Sequence, residues 1–571
     1  MKLTEGFNLL ATAPDGIKRL RELILSLAVQ GKLAPQDTSD EPASELLRQI
    51  RVEKDRLIAE GKIKKGKPLP VISDDEKPFE VPEGWEWVRL GDSSMLITDG
   101  THRTPKYISS GVAFISVKDI NGRTVSFDDC KYISDEEHRE INSRCNPERN
   151  DLLICRIGTL GRVTVVDSER PFSLFVSVGL IKMPKRVLIS RYMHLLLSSP
   201  VLTMQYQEIK AGGSHTSKLN LGDIPNLKIP LPPLAEQSRI VAKVEELMAL
   251  CDALETRGKL EAEQHGRLTV TLFDALAASE STHQLQENWA RLASNFDLIL
   301  DRAEAVDALE QTILQLAVHG LLVEQDPSDE PAGELLKQIR AEKDRLIAEG
   351  KIKKDKPLPP ISDEEKPFEL PQGWEWVKFE HIAANEKNAL KAGPFGSALK
   401  KDMYCETGYK IYGQEQVISG DENIGDYFID ESTYQKLNSC AVKSGDFLIS
   451  LVGTIGRVLV LSDFCAPGII NPRLVKISLF MTINRDYIQV VFKSPLLRNE
   501  MVERSHGGTM DILNLGLLKD FMLPLPPLAE QARIVARVDA LRARCADLRR
   551  RLTTSQKIQT HLAEALVEKA A

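Results

Sequence analysis

The chain has 571 residues, 42% of them hydrophobic and 27% charged. This ordinary globular composition excludes a wholly disordered, collagen-like or membrane-spanning protein, and the length suggests three to four domains, each able to bury a full core. A net charge of −8 excludes a generic polybasic nucleic-acid coat, but it leaves sequence-specific DNA binding open, because patches matter more than totals.

The start, MKLTEGFNLL, lacks the apolar core of a secretory signal. No later run approaches the roughly 18 apolar residues of a transmembrane helix. Eight cysteines, at 130, 145, 155, 251, 405, 440, 465 and 545, form no C-x-x-C pair. A reduced, cytoplasmic setting is expected. Ile17, Leu20, Ile24 and Leu27 fall at helical spacing, so 16–30 reads as an amphipathic helix closed by Gly31. A second helix is expected from Pro42 to Ala59, with Ser39 and Asp40 supplying cap chemistry and Leu46, Ile50, Glu53 and Leu57 on one face. The Lys/Pro-rich tract KIKKGKPLPVISDDEKPFEVPEG reads as an extended linker. Trp85, Trp87, Val88 and Leu90 begin the first strand.

The interior that follows is mixed. Phe114–Val117, Leu152–Ile157, Val163–Val166 and Leu227–Leu231 read as strands, with Gly158-Thr-Leu-Gly161 as a hairpin turn. Tyr192–Ile209 reads as helix interrupted near Pro200 and ended by Gly212-Gly213. Beyond Pro233 the period changes. Ile240, Val244, Leu247, Cys251 and Leu254 step by 4, 3, 4 and 3, the a/d seam of a short coiled coil. Near the other end Ile534, Val538, Leu541, Cys545, Leu548 and Leu552 step alike. Each helix packs either on its own domain or on its twin, and the recurrence in both copies favours pairing of the two seams.

The chain contains itself twice. KDRLIAEGKIKK begins at Lys54 and again at Lys343, and GWEWV at Gly84 and again at Gly373, both offset by 289. Over 24–90 against 313–379 about three quarters of positions are identical. The match decays, then returns as DLLICRIGTLGRV at Asp151 against DFLISLVGTIGRV at Asp446, and as LPPLAEQSRIVAKV at Leu231 against LPPLAEQARIVARV at Leu525. Such a period is too long for a solenoid. It implies one scaffold used twice to present two different faces, with the chain ends meeting to close a pseudo-two-fold ring.

The PPLAEQxRIVAxV repeats, the paired GTxGR hairpins and the duplicated layout resemble the specificity subunit of type I restriction–modification systems over essentially the whole chain. The resemblance implies an α+β fold. Two globular mixed α/β target-recognition domains (84–232 and 373–526) are then joined by two long antiparallel helices. A helical segment with linker (1–83), a central spacer with linker (233–372) and a C-terminal helix (527–571) complete the chain. It implies that each domain reads one half of an interrupted, asymmetric site in double-stranded DNA. It also implies that the helices dock two methyltransferase subunits, which a translocase/nuclease subunit joins. S-adenosylmethionine, ATP and Mg²⁺ then belong to those partners, and this chain has no cofactor of its own. The partner-docking and coiled-coil positions are the two seams, Ile240, Val244, Leu247, Cys251 and Leu254 with Ile534, Val538, Leu541, Cys545 and Leu548.

The chemistry agrees with a non-catalytic role. No G-x-x-x-x-G-K-[ST] loop occurs, since Gly31-Lys32 and Gly258-Lys259 lack its earlier glycine. Asn471-Pro472-Arg473 lacks the second proline and the aromatic of an amino-methyltransferase motif. No H-E-x-x-H or ligand-spaced Cys/His cluster appears. No catalytic residue and no metal site is expected. A single-chain enzyme and a purely structural scaffold are the competing classes.

Base edges are read by Arg, Lys, Asn, Gln, Ser or Thr, and phosphates by Lys, Arg or backbone N–H groups. In the first interior the loop 98–107 offers Thr101, His102, Arg103 and Lys106, with Lys118 beyond it. In the second, 391–401 offers Lys391, Ser397 and Lys400, followed by Tyr412, Gln414 and Gln416. Arg156, Arg162 and Arg457 flank the hairpins, where they either face DNA or tie down a turn. The loops 212–220 and 506–514 supply Ser214, His215, Thr216 and Lys218, or His506 and Thr509. Their glycine pairs either cap a helix or let backbone approach phosphate. Residues 89–228 hold 19 Lys/Arg and 15 Asp/Glu, net +4, whereas 378–522 hold 16 and 17, net −1. Alone, the chain is expected to bind DNA weakly and with strong salt dependence.

Overall fold

The repeated flanks fold into repeated elements in the computed structural model, which describes residues 9–184, 188–211, 217–279, 281–352, 361–395, 398–451, 455–505 and 515–570. Helix α1 spans Gly16–Val29 and buries Leu20, Leu23, Ile24 and Ala28. Helix α2 spans Ala43–Ala59 and buries Leu46 and Ile50. Its cap differs from expectation. Pro42 stands at the N-cap without a side-chain bond, because Asp40 is drawn to Arg239 at 2.5 Å and Ser39 bonds Asp37 at 2.6 Å.

After the linker, strand β1 (Glu86–Arg89) pairs antiparallel with β9 (Lys228–Leu231), which closes the first interior on itself. Inside lie β2 (Leu96–Asp99), β3 (Val112–Ile115), β4 (Lys131–Ile133), helix α3 (Asp135–Asn142), β5 (Leu152–Cys155), β6 (Val163–Val165), β7 (Phe172–Leu174) and β8 (Val178–Lys182). The strands form an antiparallel sheet in the order β2-β8-β5-β6 and a smaller sheet in the order β4-β3-β7. Within the smaller sheet β3 and β7 run parallel. Helices α4 (Ser190–Leu197) and α5 (Pro200–Ile209) are interrupted before Pro200, as the spacing predicts, and α1 packs against both. A 44-residue helix, α6 (Leu234–Ala277), follows.

The second copy repeats this plan. Helix α7 (Thr282–Ala293) precedes α8 (Ala303–Val318) and α9 (Ala332–Ala348), the counterparts of α1 and α2. Strands β10 (Glu375–Lys378) and β19 (Met522–Leu525) close the second interior. It contains β11 (Leu390–Ala392), β12 (Tyr404–Cys405), β13 (Tyr409–Tyr412), helix α10 (Gln414–Ser419), β14 (Phe428–Ile429), helix α11 (Glu431–Lys436), β15 (Phe447–Ser450), β16 (Val458–Val460), β17 (Gly468–Ile470) and β18 (Leu474–Ile477). The sheets are β11-β18-β15-β16 and β12-β14-β13-β17, with β13 and β17 parallel. Helices α12 (Arg485–Lys493) and α13 (Pro495–Ser505) pack against α8. The 43-residue α14 (Leu528–Ala570) ends the fold.

The five expected segments fold as two compact units, one of residues up to Glu261 with Ser555 onward, the other Ala262–Thr554. The flanking helices join their neighbouring interior because each has one apolar face to bury. In the first unit α1, α2, β1, α4 and α5 share one core with Ile240, Val244 and Cys251 of α6. Ala563 near the chain's end enters that same core, and Arg19 of α1 meets Glu564 at 2.6 Å. Helix α1 and the last turns of α14 therefore meet within one unit. In the second unit Ile534, Val538 and Cys545 of α14 share a core with α8 and with Phe273 and Leu276 at the far end of α6.

This corrects the expected pairing of seams. They fall in separate cores, each facing a short helix of its own unit. Arg21 of α1 bridges to Asp252 at 2.6 Å and Glu255 at 2.9 Å on α6. Arg549 of α14 likewise pairs with Asp307 and Glu310 of α8. The 4-3 spacing reports an apolar stripe, and a stripe does not name the helix that covers it.

Candidate nucleic-acid interface

Parallel strands place their carboxyl ends side by side, and backbone leaving them lines a common crevice. In the first unit those ends are Ile115 and Leu174 of β3 and β7. The loop after β2 crosses there, with the Thr101 amide donating to the Leu174 carbonyl at 2.9 Å and the Val176 amide to the Thr101 carbonyl at 3.0 Å. A side chain at Gly100 would place Cβ 2.0 Å from the Leu174 carbonyl oxygen. In the second unit Gly393 donates to the Leu474 carbonyl at 2.9 Å, and a Cβ on it would sit 1.9 Å from the Asn471 oxygen. The loops singled out from sequence at 98–107 and 391–401 thus cross the same strand ends.

Strand register aligns the two crevices. Ala113 faces Phe172 as Lys410 faces Gly468. Asp99 faces Gly179 as Ala392 faces Val475. The Arg156 amide donates to Ser177 as the Leu451 amide donates to Arg473. Val117 therefore matches Gln414, Ser177 matches Arg473, Asp99 matches Ala392 and Arg156 matches Leu451. Tyr107 and Tyr404 also share a position, beside Lys131 in one unit and Tyr427 in the other.

In the first unit a buried carboxylate organises the crevice. Asp99 accepts from Arg156 Nη1, from Arg144 Nη2 at 3.0 Å and from His102 Nε2 at 3.1 Å. Arg156 also donates through Nε to the Leu219 carbonyl at 3.1 Å and through Nη1 to the Val176 carbonyl at 3.2 Å. Its guanidinium is buried and engaged, so Arg156 is withdrawn as a DNA-reading residue. It ties the hairpin to the end of β2 and to the Leu219 and Val176 backbone. Arg144 lies outside every sequence motif and was missed; it also donates to the Gly100 carbonyl at 2.6 Å. His102 and Arg103 are exposed, Arg103 pairing with Glu140 at 2.6 Å. Lys106 is exposed while its amide donates to Glu137 at 3.1 Å. Lys118 is engaged by the Asp129 carbonyl at 2.6 Å. Arg162 is exposed and reaches the Ile120 carbonyl at 3.3 Å. Lys218 is exposed on a backbone bridge to Ala211. Lys131 Nζ stands 4.0 Å over the Tyr107 ring.

In the second unit two expected readers are structural. Tyr412 is fully buried and its hydroxyl donates to the Ala466 carbonyl at 2.8 Å. Gln416 is fully buried, accepts from the Gly413 amide at 2.7 Å and donates to the Ile424 carbonyl at 2.8 Å. It does the work that Asp119 does for Ser116 in the first unit, at 2.8 Å. Both are withdrawn as base contacts, since a buried polar side chain with its atoms engaged has nothing left to offer a base. Gln414 stays half-buried at the crevice, donating to Ser450 Oγ at 2.9 Å and accepting from Arg473 Nη1 at 3.2 Å. A cleft of 720 Å³ opens here, lined by Lys401, Tyr404, Gln414, Glu415, Tyr427 and Arg473 among others. Lys391 is half-buried on β11, and Lys400 and Arg457 are exposed. Ser214, His215, Thr216, Ser397, His506 and Thr509 lie outside the described residues. Sequence reading passed over Arg473 as a failed methyltransferase motif, and only register brings it beside Gln414.

The hairpin glycines are packing residues. Gly161 has φ +72°, and a Cβ on it would lie 2.2 Å from the buried Tyr206 ring; at Gly456, φ +74°, it would meet Met501 Sδ at 2.8 Å. The PPLAEQ repeats build a joint between each interior and its long helix. Glu236 accepts from Trp85 Nε1 at 2.8 Å, and Glu530 from Trp374 Nε1 at 2.9 Å. Gln237 accepts from the Ile189 amide at 3.2 Å and donates to the Pro232 carbonyl at 3.0 Å. Gln531 does the same with Asn484 at 3.2 Å and Pro526 at 2.9 Å. Burial pushes both glutamate carboxyls up from their ordinary value, against the pull of the indole bonds. Ile240, Val244, Cys251, Ile534, Val538 and Cys545 are buried in their own units, so these seam positions are withdrawn as partner contacts. Leu247, Leu254, Leu541 and Leu548 are half-buried. Among the described residues no group of three or more His, Cys, Asp or Glu is arranged to hold a metal. None of their helices is long and apolar enough to cross a membrane.

The type I restriction modification DNA specificity domain matches residues 82–264 and 392–559. The EcoAI specificity subunit of Escherichia coli is 36% identical over 97% of this chain and 94% of its own length. The EcoEI specificity subunit of Escherichia coli is 34% identical over the same shares, 97% and 94%. The crystal structure of an HsdS subunit from Thermoanaerobacter tengcongensis is similar at 20% identity and a TM-score of 0.41, over 86% of this chain and 98% of that one.

Proposed function

Because the chain belongs to the type I restriction–modification DNA specificity family, and so serves sequence recognition in such a system, we propose that its two crevices read the two unlike halves of one interrupted, asymmetric target. The long helices with their flanking segments dock two methyltransferase subunits, and through them a translocase/nuclease subunit. Catalysis belongs to those partners, with S-adenosylmethionine, ATP and Mg²⁺, in the cytoplasm where the DNA lies.

One observation supports this reading above the rest. The two units share a backbone frame down to the glycines that cross the strand ends, yet at matched crevice positions the side chains differ: Val117 against Gln414, Ser177 against Arg473, Lys131 against Tyr427. A common frame with exchanged side chains is what two addresses on one scaffold require, since base contacts carry sequence information and phosphate contacts do not. The near-neutral net charge of each interior leaves much of the phosphate clamp to the partners.

The test is methylome sequencing after co-expression with a type I methyltransferase subunit that assembles with the chain. Two unlike motifs separated by unspecified bases are expected. Replacing 90–228 by the same region of a relative should change one motif and leave the other intact. A single continuous motif, or both motifs changing together, would overturn the reading.

A further inference from the structure

The 720 Å³ cleft of the second unit carries a more specific assignment, which rests on that reading of the two crevices. Its floor is made by the carboxyl ends of β13 and β17, and Arg473 leaves the second of them exposed. Gln414 turns its carbonyl oxygen to Arg473 Nη1 at 3.2 Å and its amide to Ser450 Oγ at 2.9 Å. Gln414 is therefore engaged within the protein and acts as a buttress. It holds Nη1, and among the described residues no other group bonds the guanidinium. Among the described residues no carboxylate lies within ion-pair distance of Arg473, so its charge is not neutralised from inside.

A second group narrows the ligand. Glu415 lines the same cleft, exposed, with Oε1 3.3 Å from Gln416 Nε2. A carboxylate repels phosphate, so this is poor equipment for gripping a DNA backbone. It is good equipment for a base edge, because cytosine N4 is a donor and a carboxylate accepts from it. Guanine presents O6 and N7, two acceptors that match the arginine fork. The two demands are met together by one base pair.

We infer that this cleft reads a G·C pair in the second half of the target, with Arg473 on guanine, Glu415 on its cytosine and Gln414 as the positioning residue that aims Arg473. The matched place in the first unit holds Ser177 and Val117. That unit accordingly reads its half without an arginine fork at this position.

The experiment compares wild type, Arg473→Ala and Glu415→Gln, each as the full chain co-expressed with its methyltransferase, by methylome sequencing. Both variants should lose discrimination at the same single G·C position of one half-site. The selectivity there should fall about 5- to 150-fold, with the other half unchanged. Glu415→Gln keeps the side chain's shape, so it answers even if Arg473→Ala assembles poorly. A lower methylation level at every site with an unaltered motif would make Arg473 a phosphate contact and overturn the assignment, as would unaltered motifs in both variants. A wild-type motif that is not in two parts would instead sink the reading of the two crevices itself.

Discussion

The first crevice is built over a buried carboxylate, and the second over aliphatic carbon. Asp99 and Arg156 lie in the first where Ala392 and Leu451 lie in the second, and the surrounding strands, registers and crossing loops are the same. The difference teaches that the frame does not depend on the ion pair. The pair is one of two ways to fill the same space, and only one of them also holds Arg144 and His102 at the surface. By contrast the joints, Trp85 with Glu236 and Trp374 with Glu530, are nearly identical. The chain keeps its joints and varies its crevices.

The sharpest way to break this comparison is at the joints. Trp85→Ala and Trp374→Ala each remove a buried indole and should cost about 3–5 kcal/mol in their own unit. Calorimetric unfolding of the full chain should show two similar losses; a tolerated change at one joint alone would mean that the copies are not mechanically equivalent.

The crevice fillings can be exchanged next. Asp99→Ala strands the buried Arg156 guanidinium, whereas Arg156→Leu leaves the Asp99 carboxylate to Arg144 and His102. The first change should cost about 3–5 kcal/mol, and the second less. The double variant reproduces the Ala392–Leu451 arrangement and should recover most of that loss. Additive losses in this cycle would show that the ion pair is not a self-contained unit.

Smaller effects are expected at the crossing glycines. Gly100→Ala and Gly393→Ala push a methyl group against a backbone carbonyl that cannot step aside, so each should destabilise by about 1–3 kcal/mol. Denaturant midpoints of the two variants should fall together.

The smallest effect is a slope. Burial raises the Glu236 and Glu530 carboxyls above the ordinary 4.5. At these two groups the folded state binds more protons than the unfolded one, so their contribution to stability is fullest below pH 4.5 and falls as pH rises through the folded-state values. Glu236→Gln with Glu530→Gln keeps an acceptor for each indole and should flatten that part of the stability–pH curve. The first joint should contribute more of the slope. Glu236 Oε1 is buried without a partner among the described residues, whereas Glu530 Oε1 accepts from Gln325 Nε2 at 2.7 Å. Equal contributions would remove this distinction between the joints.

Periodicity and repetition alone determined that the scaffold occurs twice, where its amphipathic helices and hairpins lie, and that the chain's ends return to one another. Those features are local or are copied along the chain, so they are visible in one dimension. Tertiary structure decided which polar residues remain available. Arg156, Tyr412 and Gln416 look like readers because their side chains can bind bases, yet each is consumed inside, since a buried donor must be satisfied before it can do anything else. Arg473 and Arg144 look like nothing in sequence, and they matter because β17 and α3 end where distant loops cross. The same holds for the seams: spacing shows that a helix face is apolar, and only packing in three dimensions chooses the face that covers it.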